Sequence, residues 1–187
     1  DLGAEKFLNI KCVSAGLAPD AVVVVATVRA LRHHGGATKE EYNTPSLEHV
    51  KKGIANLEKH IENVQCFGLK AVVAINHFPH DSEEEIAYIQ AFCKERGVEA
   101  IVSRGFSEGG AGTQELARAV VAIAESGESH FTPLYDHAAS VEEKIKTVAT
   151  RIYGARGVNY STKALSQLKQ ISKLGFDKLP ICMVKTP

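Results

Sequence analysis

The sequence predicts an α/β fold with a parallel, P-loop/Rossmann-like three-layer sheet core and a smaller α-rich lobe. Three observations indicate this fold: short apolar runs of strand length, segments between them with apolar residues three and four positions apart, and glycine or proline at the junctions. Strands and helices that alternate at this spacing are joined by right-handed crossovers, which give a parallel sheet covered on both faces.

Three apolar runs are the predicted strands of the core. Residues 21–26 form a continuous, mostly β-branched run, which is typical of a strand buried on both faces. The second strand is predicted over residues 71–75, and a third, shorter one over residues 99–102.

Three helices are predicted between and after these strands. The first spans residues 47–64 and takes Thr44 as its N-cap. The second starts after Asp81 or Ser82, and glutamates fill its first turn, where the helix dipole favours anions. The third spans residues 113–127 and ends at a glycine.

The composition changes after His130, which predicts two domains. Residues 1–130 form the parallel α/β core, with its ligand loops at the carboxyl edge of the sheet. Residues 131–187 form a smaller helical lobe, in which Ser140 opens one helix through a capping box. The lobe is predicted to close with a returning apolar strand at residues 179–184.

Composition and charge exclude several function classes. Of the 187 residues, 44% are hydrophobic and 24% charged, so a disordered or fibrous protein is excluded. Lys and Arg together number 22, as do Asp and Glu, so the zero net charge predicts no nucleic-acid partner. No apolar run approaches the ~20 residues of a membrane span, so no membrane partner is predicted either.

The cysteines and the chain ends indicate where such a protein works. The four cysteines lie far apart with no C-x-x-C pair, which favours buried reduced thiols and a cytoplasmic location. The chain opens on Asp1 without a methionine and stops at Pro187, so we expect it to be an internal piece of a longer protein.

Ligand chemistry is predicted at one edge of the sheet. In a parallel α/β sheet the strand-to-helix loops all emerge at the carboxyl edge, where ligands bind. Three loops therefore converge there, at residues 27–42, 76–80 and 103–112.

The first of these loops is basic and contains adjacent histidines. Arg29, Arg32 and the glycine pair Gly35–Gly36 suit an anionic ligand, and a solvated basic loop with a glycine turn is the equal alternative. His33 and His34 point apart as chain neighbours and have no evident third ligand, so no metal site is predicted.

The other two loops each carry a phenylalanine. Phe78 lies in the segment Asn76–Asp81, and Phe106 precedes a glycine cluster that could bring backbone N–H groups close to a ligand oxygen. Since the two loops follow successive strands, both rings could flank one flat aromatic ligand. The alternatives are that Phe78 only plugs the end of the sheet and that the glycine cluster is a flexible turn.

A set of sequence blocks runs in order along the whole chain and resembles one known family. The blocks are Asp1–Phe7, Asn9–Cys12, Val25–Leu31 with His34–Gly36, Asn56–Asn63, Val72–Asn76 with Phe78–Pro79, Ile152–Ala155, and Leu179–Met183 with Lys185–Thr186. The family that they resemble is formate–tetrahydrofolate ligase (formyltetrahydrofolate synthetase).

The resemblance implies an activity and its substrates. Members of the family are longer and couple ATP cleavage to condensation of formate with tetrahydrofolate, giving 10-formyltetrahydrofolate. ATP with Mg²⁺ is thus implied as co-substrate, with no permanently bound cofactor, and the full-length protein is implied to be a homo-oligomer. The family's phosphate-binding loop, G-x-x-x-x-G-K-[ST], is absent here, and the resemblance places it upstream of Asp1.

The resemblance also implies site residues. Phe78 and Phe106 occupy the positions of the two aromatic side chains that sandwich the pterin ring, the second of which is usually Trp. The resemblance assigns nucleotide binding to Asn76, Pro79 and Ser103. Asn76 and the loop of Ser103 would contact the edge of the adenine or of the pterin. Catalytic residues are not assigned.

Two other classes of protein compete with the ligase. One is a truncated or non-catalytic relative that acts only as a binding or assembly module. The other is an NAD-binding module, which is disfavoured because no G-x-G-x-x-G follows the first strand.

Overall fold

A three-stranded parallel sheet organises the central part of the protein. A computed structural model describes residues 3–184 of the chain. The strands are β1 (Val22–Ala26), β2 (Ala71–Asn76) and β3 (Glu99–Ser103), and they pair in the order β1-β2-β3. The predicted parallel α/β fold is confirmed, with each strand within one residue of its predicted position at either end.

The register of the sheet brings the ends of two strands level. Val72 lies opposite Glu99, and the same register places Asn76 opposite Ser103. Residues 71–75 of β2 are all buried, so both faces of the central strand are covered. The carboxyl ends of β2 and β3 are thereby fixed side by side on a rigid base.

Strand β1 differs from its prediction. The prediction that it is buried on both faces is wrong, because Val23 is 40% exposed and Val25 is 67% exposed. Within residues 3–184, β1 ends the strand order, and helix α7 (Gln114–Ser126) packs on β2 and β3. A β-branched run reports strand propensity, whereas burial depends on neighbours that the run does not specify.

The helices fall into two compact units. One unit, Asp20–His130, contains the sheet, and the other combines Asp1–Pro19 with Phe131–Pro187. The sequence predicts that the first 19 residues belong to the α/β core, whereas here they group with the C-terminal residues. In the sheet-containing unit the remaining helices are α3 (Val28–His34), α4 (Leu47–Gln65), α5 (Glu83–Glu95) and the single turn α6 (Gly105–Glu108), with 3₁₀ turns at Lys39–Glu41 and Ala111–Thr113.

Side-chain caps set the starts of the two long helices. Ser82 begins α5 as predicted, since its hydroxyl accepts from the Glu85 backbone and the Glu85 carboxylate reaches back to the Ser82 N–H. The prediction that Thr44 caps α4 is wrong. Ser46 is the N-cap, and its hydroxyl accepts from the His49 N–H at 3.4 Å.

Helices α3 and α4 cross at close range through glycine. A Cβ built on Gly53 of α4 would lie 1.9 Å from the Leu31 carbonyl oxygen of α3, and one on Gly35 would lie 1.8 Å from the His49 carbonyl oxygen. Both obstacles are backbone atoms, so the helices would have to separate to admit a methyl group.

We therefore expect Gly53→Ala to destabilise the protein by about 1–3 kcal/mol, the usual cost of overpacking. Helix propensity alone would make Gly53→Ala stabilising, because alanine is favoured over glycine by about 1 kcal/mol in a helix interior. Ala55, exposed on the same helix, supplies the control, since Ala55→Gly reports propensity without the crossing. Urea denaturation of both variants measures the two effects, and a stabilised Gly53→Ala would contradict the close crossing.

The second unit contains five helical elements within residues 3–184. Helices α1 (Ala4–Lys6) and α2 (Val13–Ala15) flank a π-helical segment, Phe7–Cys12, and are followed much later by α8 (Val141–Arg151) and α9 (Thr162–Lys173). Buried Asn9 joins the two parts of this unit, because its amide oxygen accepts from the Leu134 N–H at 2.9 Å. Ser140 caps α8 by accepting from the Glu143 N–H at 3.1 Å, but the return bond from the Glu143 carboxylate that would complete the predicted capping box is absent from the described structure.

The returning strand expected at residues 179–184 is absent from the described structure, where this segment is irregular. Its backbone groups bond to side chains instead of to a neighbouring strand. The carbonyl of Leu179 accepts from Lys144 Nζ at 3.1 Å, and the Ile181 N–H donates to the Tyr135 hydroxyl at 3.2 Å. An apolar run without a partner strand cannot form a ladder.

Candidate functional site

The ends of β2 and β3 bring the predicted site residues together. Asn76 is the last residue of β2 and Ser103 the last of β3, and the two are paired in register. The N–H of His77 donates to the Ser103 carbonyl at 3.0 Å, which extends the ladder by one bond. The two loops that follow therefore leave the sheet at the same place.

The aromatic pair lies on these two loops. The ring centroids of Phe78 and Phe106 are 6.4 Å apart and the rings are tilted by 37°. A flat ligand between two rings needs about 7 Å, two van der Waals contacts of ~3.5 Å each. The observed separation is slightly smaller. Phe106 is 82% exposed and Phe78 36%, and a flat ligand stacked on both rings requires one of them to move.

A tight turn holds Phe78 and Pro79. The Phe78 N–H donates to the Asp81 carboxylate at 2.8 Å, and the Asp81 N–H donates back to the Phe78 carbonyl at 3.0 Å. Both backbone polar groups of Phe78, the N–H and the carbonyl, therefore form hydrogen bonds to Asp81. Pro79 is exposed within the turn.

Glycine shapes the loop that carries Phe106. Phe106 lies in helix α6, and the loop after it folds back so that the Arg104 N–H donates to the Gly112 carbonyl at 2.9 Å. A Cβ on Gly112 would lie 2.6 Å from the Arg104 carbonyl oxygen, so only glycine fits there. The predicted glycine cluster is therefore a folded loop and not a flexible turn.

The two polar residues at the strand ends differ in access. Asn76 is half-buried, so its amide can reach a ligand at the edge of the sheet. Ser103 is only 9% exposed and offers a ligand little surface.

The first predicted loop, residues 27–42, is mainly helical, which corrects its assignment. Thr27 caps α3 by accepting from the Ala30 N–H at 3.1 Å, and Val28 and Leu31 anchor the helix in the core. Arg29 stacks over the Tyr42 ring at 5.1 Å, and the Tyr42 hydroxyl hydrogen-bonds His33 Nδ1 at 2.6 Å.

The second arginine of α3 is turned inward, and sequence reasoning missed its role. Arg32 and Glu85 form an ion pair with both side chains 1% exposed. Burial alone would raise the pKa of Glu85, but hydrogen bonds from Arg32, Ser46 and Ser82 outweigh it and lower that pKa to about 2. The capping-box spacing marks Glu85, but no sequence signal pairs it with an arginine 53 residues away.

Other kinds of site find no support in the described structure. Residues 3–184 contain no group of three or more His, Cys, Asp or Glu side chains placed to hold a metal ion. Over the same residues, no helix combines the length and hydropathy that crossing a bilayer requires.

Fold and site together define a parallel α/β protein with an exposed aromatic pair at the carboxyl edge of its sheet. The family model of formate–tetrahydrofolate ligase matches residues 1–187. The formate–tetrahydrofolate ligase of Limosilactobacillus fermentum is 53% identical over 186 residues, which is 100% of this chain and 34% of that protein. The chain therefore belongs to the formate–tetrahydrofolate ligase family, as the sequence resemblance predicts, and spans about a third of the length of this curated relative.

Proposed function

We propose that this chain is the folate-binding region, and part of the nucleotide-binding region, of an ATP-dependent ligase that joins formate to tetrahydrofolate. The product is 10-formyltetrahydrofolate. The observation that carries the proposal is the pair Phe78 and Phe106, whose ring centroids lie 6.4 Å apart on loops that follow adjacent strands. A pterin is a flat heterocycle, and stacking between two aromatic faces is a favourable way to hold one.

Nucleotide recognition would use the residues at the carboxyl ends of β2 and β3. Asn76 can offer its amide to an adenine or pterin edge, while Pro79 and Ser103 border the same strand ends. The chain contains no G-x-x-x-x-G-K-[ST], and its described residues offer no cluster of acidic groups for Mg²⁺. We assign the phosphates, Mg²⁺ and formate to other parts of the full-length protein, and no residue of this chain to their chemistry.

The compartment and the assembly are further parts of the proposal. All four cysteines are free, but the prediction that they are buried holds only for Cys12 and Cys93, because Cys66 is partly exposed and Cys182 exposed. Burial raises the pKa of the Cys93 thiol to about 11. Unpaired thiols suit the reducing cytoplasm, where we place the protein. A homo-oligomeric full-length enzyme is proposed from the family resemblance.

The aromatic pair gives the test of this proposal. In the full-length protein, Phe78→Ala and Phe106→Ala each remove one stacking face and should weaken tetrahydrofolate binding by roughly 1–3 kcal/mol, or about 5- to 150-fold. ATP binding should change much less. Phe106→Trp, which introduces the family's usual residue, should hold or tighten the affinity for tetrahydrofolate. Calorimetric titration with each ligand separately measures these effects.

Thermal melts of the same variants separate binding from stability. Phe106 is 82% exposed, so its loss should leave the melting temperature almost unchanged. If both ligands lose affinity equally and the losses follow a fall in stability, the rings belong to the core and the assigned site is wrong.

A further inference from the structure

The guanidinium of Arg32 is the centre of a buried hydrogen-bond network beneath the aromatic pair. Its Nε donates to Glu85 Oε1 at 2.7 Å and its Nη2 to Glu85 Oε2 at 2.5 Å. The other donors reach two backbone carbonyls, Tyr42 at 2.8 Å and His80 at 2.9 Å. One side chain of α3 therefore holds a carboxylate and two separate loops.

One of these loops is the turn that carries Phe78. His80 is the third residue of the turn Phe78–Asp81, which Asp81 closes through both the N–H and the carbonyl of Phe78. The bond from Arg32 to the His80 carbonyl connects that exposed turn directly to a side chain in the core.

Glu85 fixes the other end of the same turn. Its carboxylate accepts from the Ser82 N–H at 3.0 Å and from the Ser82 hydroxyl at 2.7 Å. It also accepts from the Ser46 N–H at 2.8 Å. Residues 80 and 82 are thus both held, one on each side of Asp81, by the two members of a single buried ion pair.

We propose that Arg32 and Glu85 are a positioning pair for the aromatic site, fixing the turn Phe78–Asp81 so that Phe78 is held beside Phe106, where a flat ligand can stack. The inference rests on the proposed folate-binding role of that pair of rings. Neither charged group touches the ligand. Their contribution is to order an exposed turn before binding, which removes an entropic cost that the ligand would otherwise meet.

The geometry requires an arginine at position 32. Arg32 uses three nitrogens in fixed directions to reach a carboxylate and two carbonyls at once. A lysine would place all its donors on one atom and could not span these partners. Arg32→Lys would therefore keep the buried charge while losing contact with at least one loop.

The test uses the full-length ligase that contains this chain, with both charges removed together. In Arg32→Met/Glu85→Gln no unpaired charge stays buried, and the amide oxygen of residue 85 can still accept from Ser82, so folding is retained. We expect the KM for tetrahydrofolate to rise about 3- to 30-fold, within the range of coupling between contacting residues, and the KM for ATP to change much less.

The matched control is a second ion pair on α5, which joins that helix to α4, whereas the Arg32–Glu85 pair joins it to α3. Arg96 at the end of α5 bonds Glu58 of α4 at 2.7 Å and takes no part in the turn Phe78–Asp81. Arg96→Met/Glu58→Gln should leave the KM of both substrates unchanged. If it raises the KM for tetrahydrofolate as much as the Arg32 and Glu85 substitutions do, helix packing in general explains the effect and the positioning role is overturned.

Combination with Phe78→Ala separates positioning from folding. If the pair acts through Phe78, its removal should add little once the ring is gone, so the penalties on tetrahydrofolate binding are not additive. Additive penalties, or equal losses for tetrahydrofolate and ATP that follow the melting temperature, would overturn the inference.

Two further outcomes complete the test. If Phe78→Ala itself leaves tetrahydrofolate binding unchanged, the proposed folate site fails and the inference falls with it. If the double substitution does not fold, Arg32→Lys is measured instead. It keeps the opposite charges together, so an unchanged KM for tetrahydrofolate in that variant would overturn the positioning role.

Discussion

Glu85→Ala is expected to lower the free energy of unfolding of this chain by about 3–5 kcal/mol, because the variant leaves Arg32 as an uncompensated buried charge. The backbone N–H groups of Ser46 and Ser82 lose their acceptor in the same step. Glu58→Ala is the control, since the Glu58–Arg96 pair is about a third exposed and pairs of that kind contribute only about 0–1 kcal/mol. Urea denaturation gives both values, and equal losses would contradict the buried pair.

The same carboxylate makes stability depend on pH. The pKa of Glu85 falls from 4.5 to about 2 in the folded protein, where hydrogen bonds to the carboxylate outweigh the opposing effect of burial. A group with a lowered folded pKa contributes stability at pH values above its unfolded pKa and loses it as the pH falls through the folded value. The difference between the wild type and Glu85→Ala should therefore be full above about pH 4.5 and shrink toward pH 2.

Local sequence signals predict the three strands, several helix starts and the meeting of Phe78 with Phe106. The serine caps at Ser82 and Ser140 and the apolar runs predicted helix starts and strands, because each depends on residues a few positions apart. Phe78 and Phe106 came together because parallel topology alone brings successive strand ends to one edge.

Tertiary contacts decided what the sequence could not predict. The segment after β1 was expected to be a basic loop, but burial of Val28, Leu31 and Arg32 makes it a helix. The sequence leaves Arg32 open between an anionic ligand and a solvated loop, because its partner, Glu85, lies 53 residues along the chain. An exposed arginine and a buried, paired one have the same sequence signature, and only the fold distinguishes them.

This distinction changes the electrostatics of the proposed site. Arg32 is paired inside the core, whereas Arg29 stacks on the Tyr42 ring and stays exposed. The exposed edge also carries two aromatic rings and an amide, from Phe78, Phe106 and Asn76, beside the partly exposed Arg104. Two aromatic rings suit a flat heterocycle, which is the ground for proposing the folate site there.

The isolated chain of 187 residues is therefore expected to make no 10-formyltetrahydrofolate from formate and ATP. Phosphoryl transfer depends on positioning the phosphates and neutralising their charge, and the chain has no G-x-x-x-x-G-K-[ST] loop to do either. An assay with radiolabelled formate measures turnover by the chain alone and by the full-length ligase under the same conditions.

The two proteins in that assay separate three possibilities. Turnover by the full-length protein alone supports a folate-binding region that depends on the rest of the ligase for phosphate chemistry. Turnover by the isolated chain would contradict this, because the phosphates would then have to bind at the edge formed by β2 and β3. Failure of both proteins, with tetrahydrofolate still bound according to calorimetry, would favour a non-catalytic binding module, since the aromatic pair would hold its ligand without any reaction following.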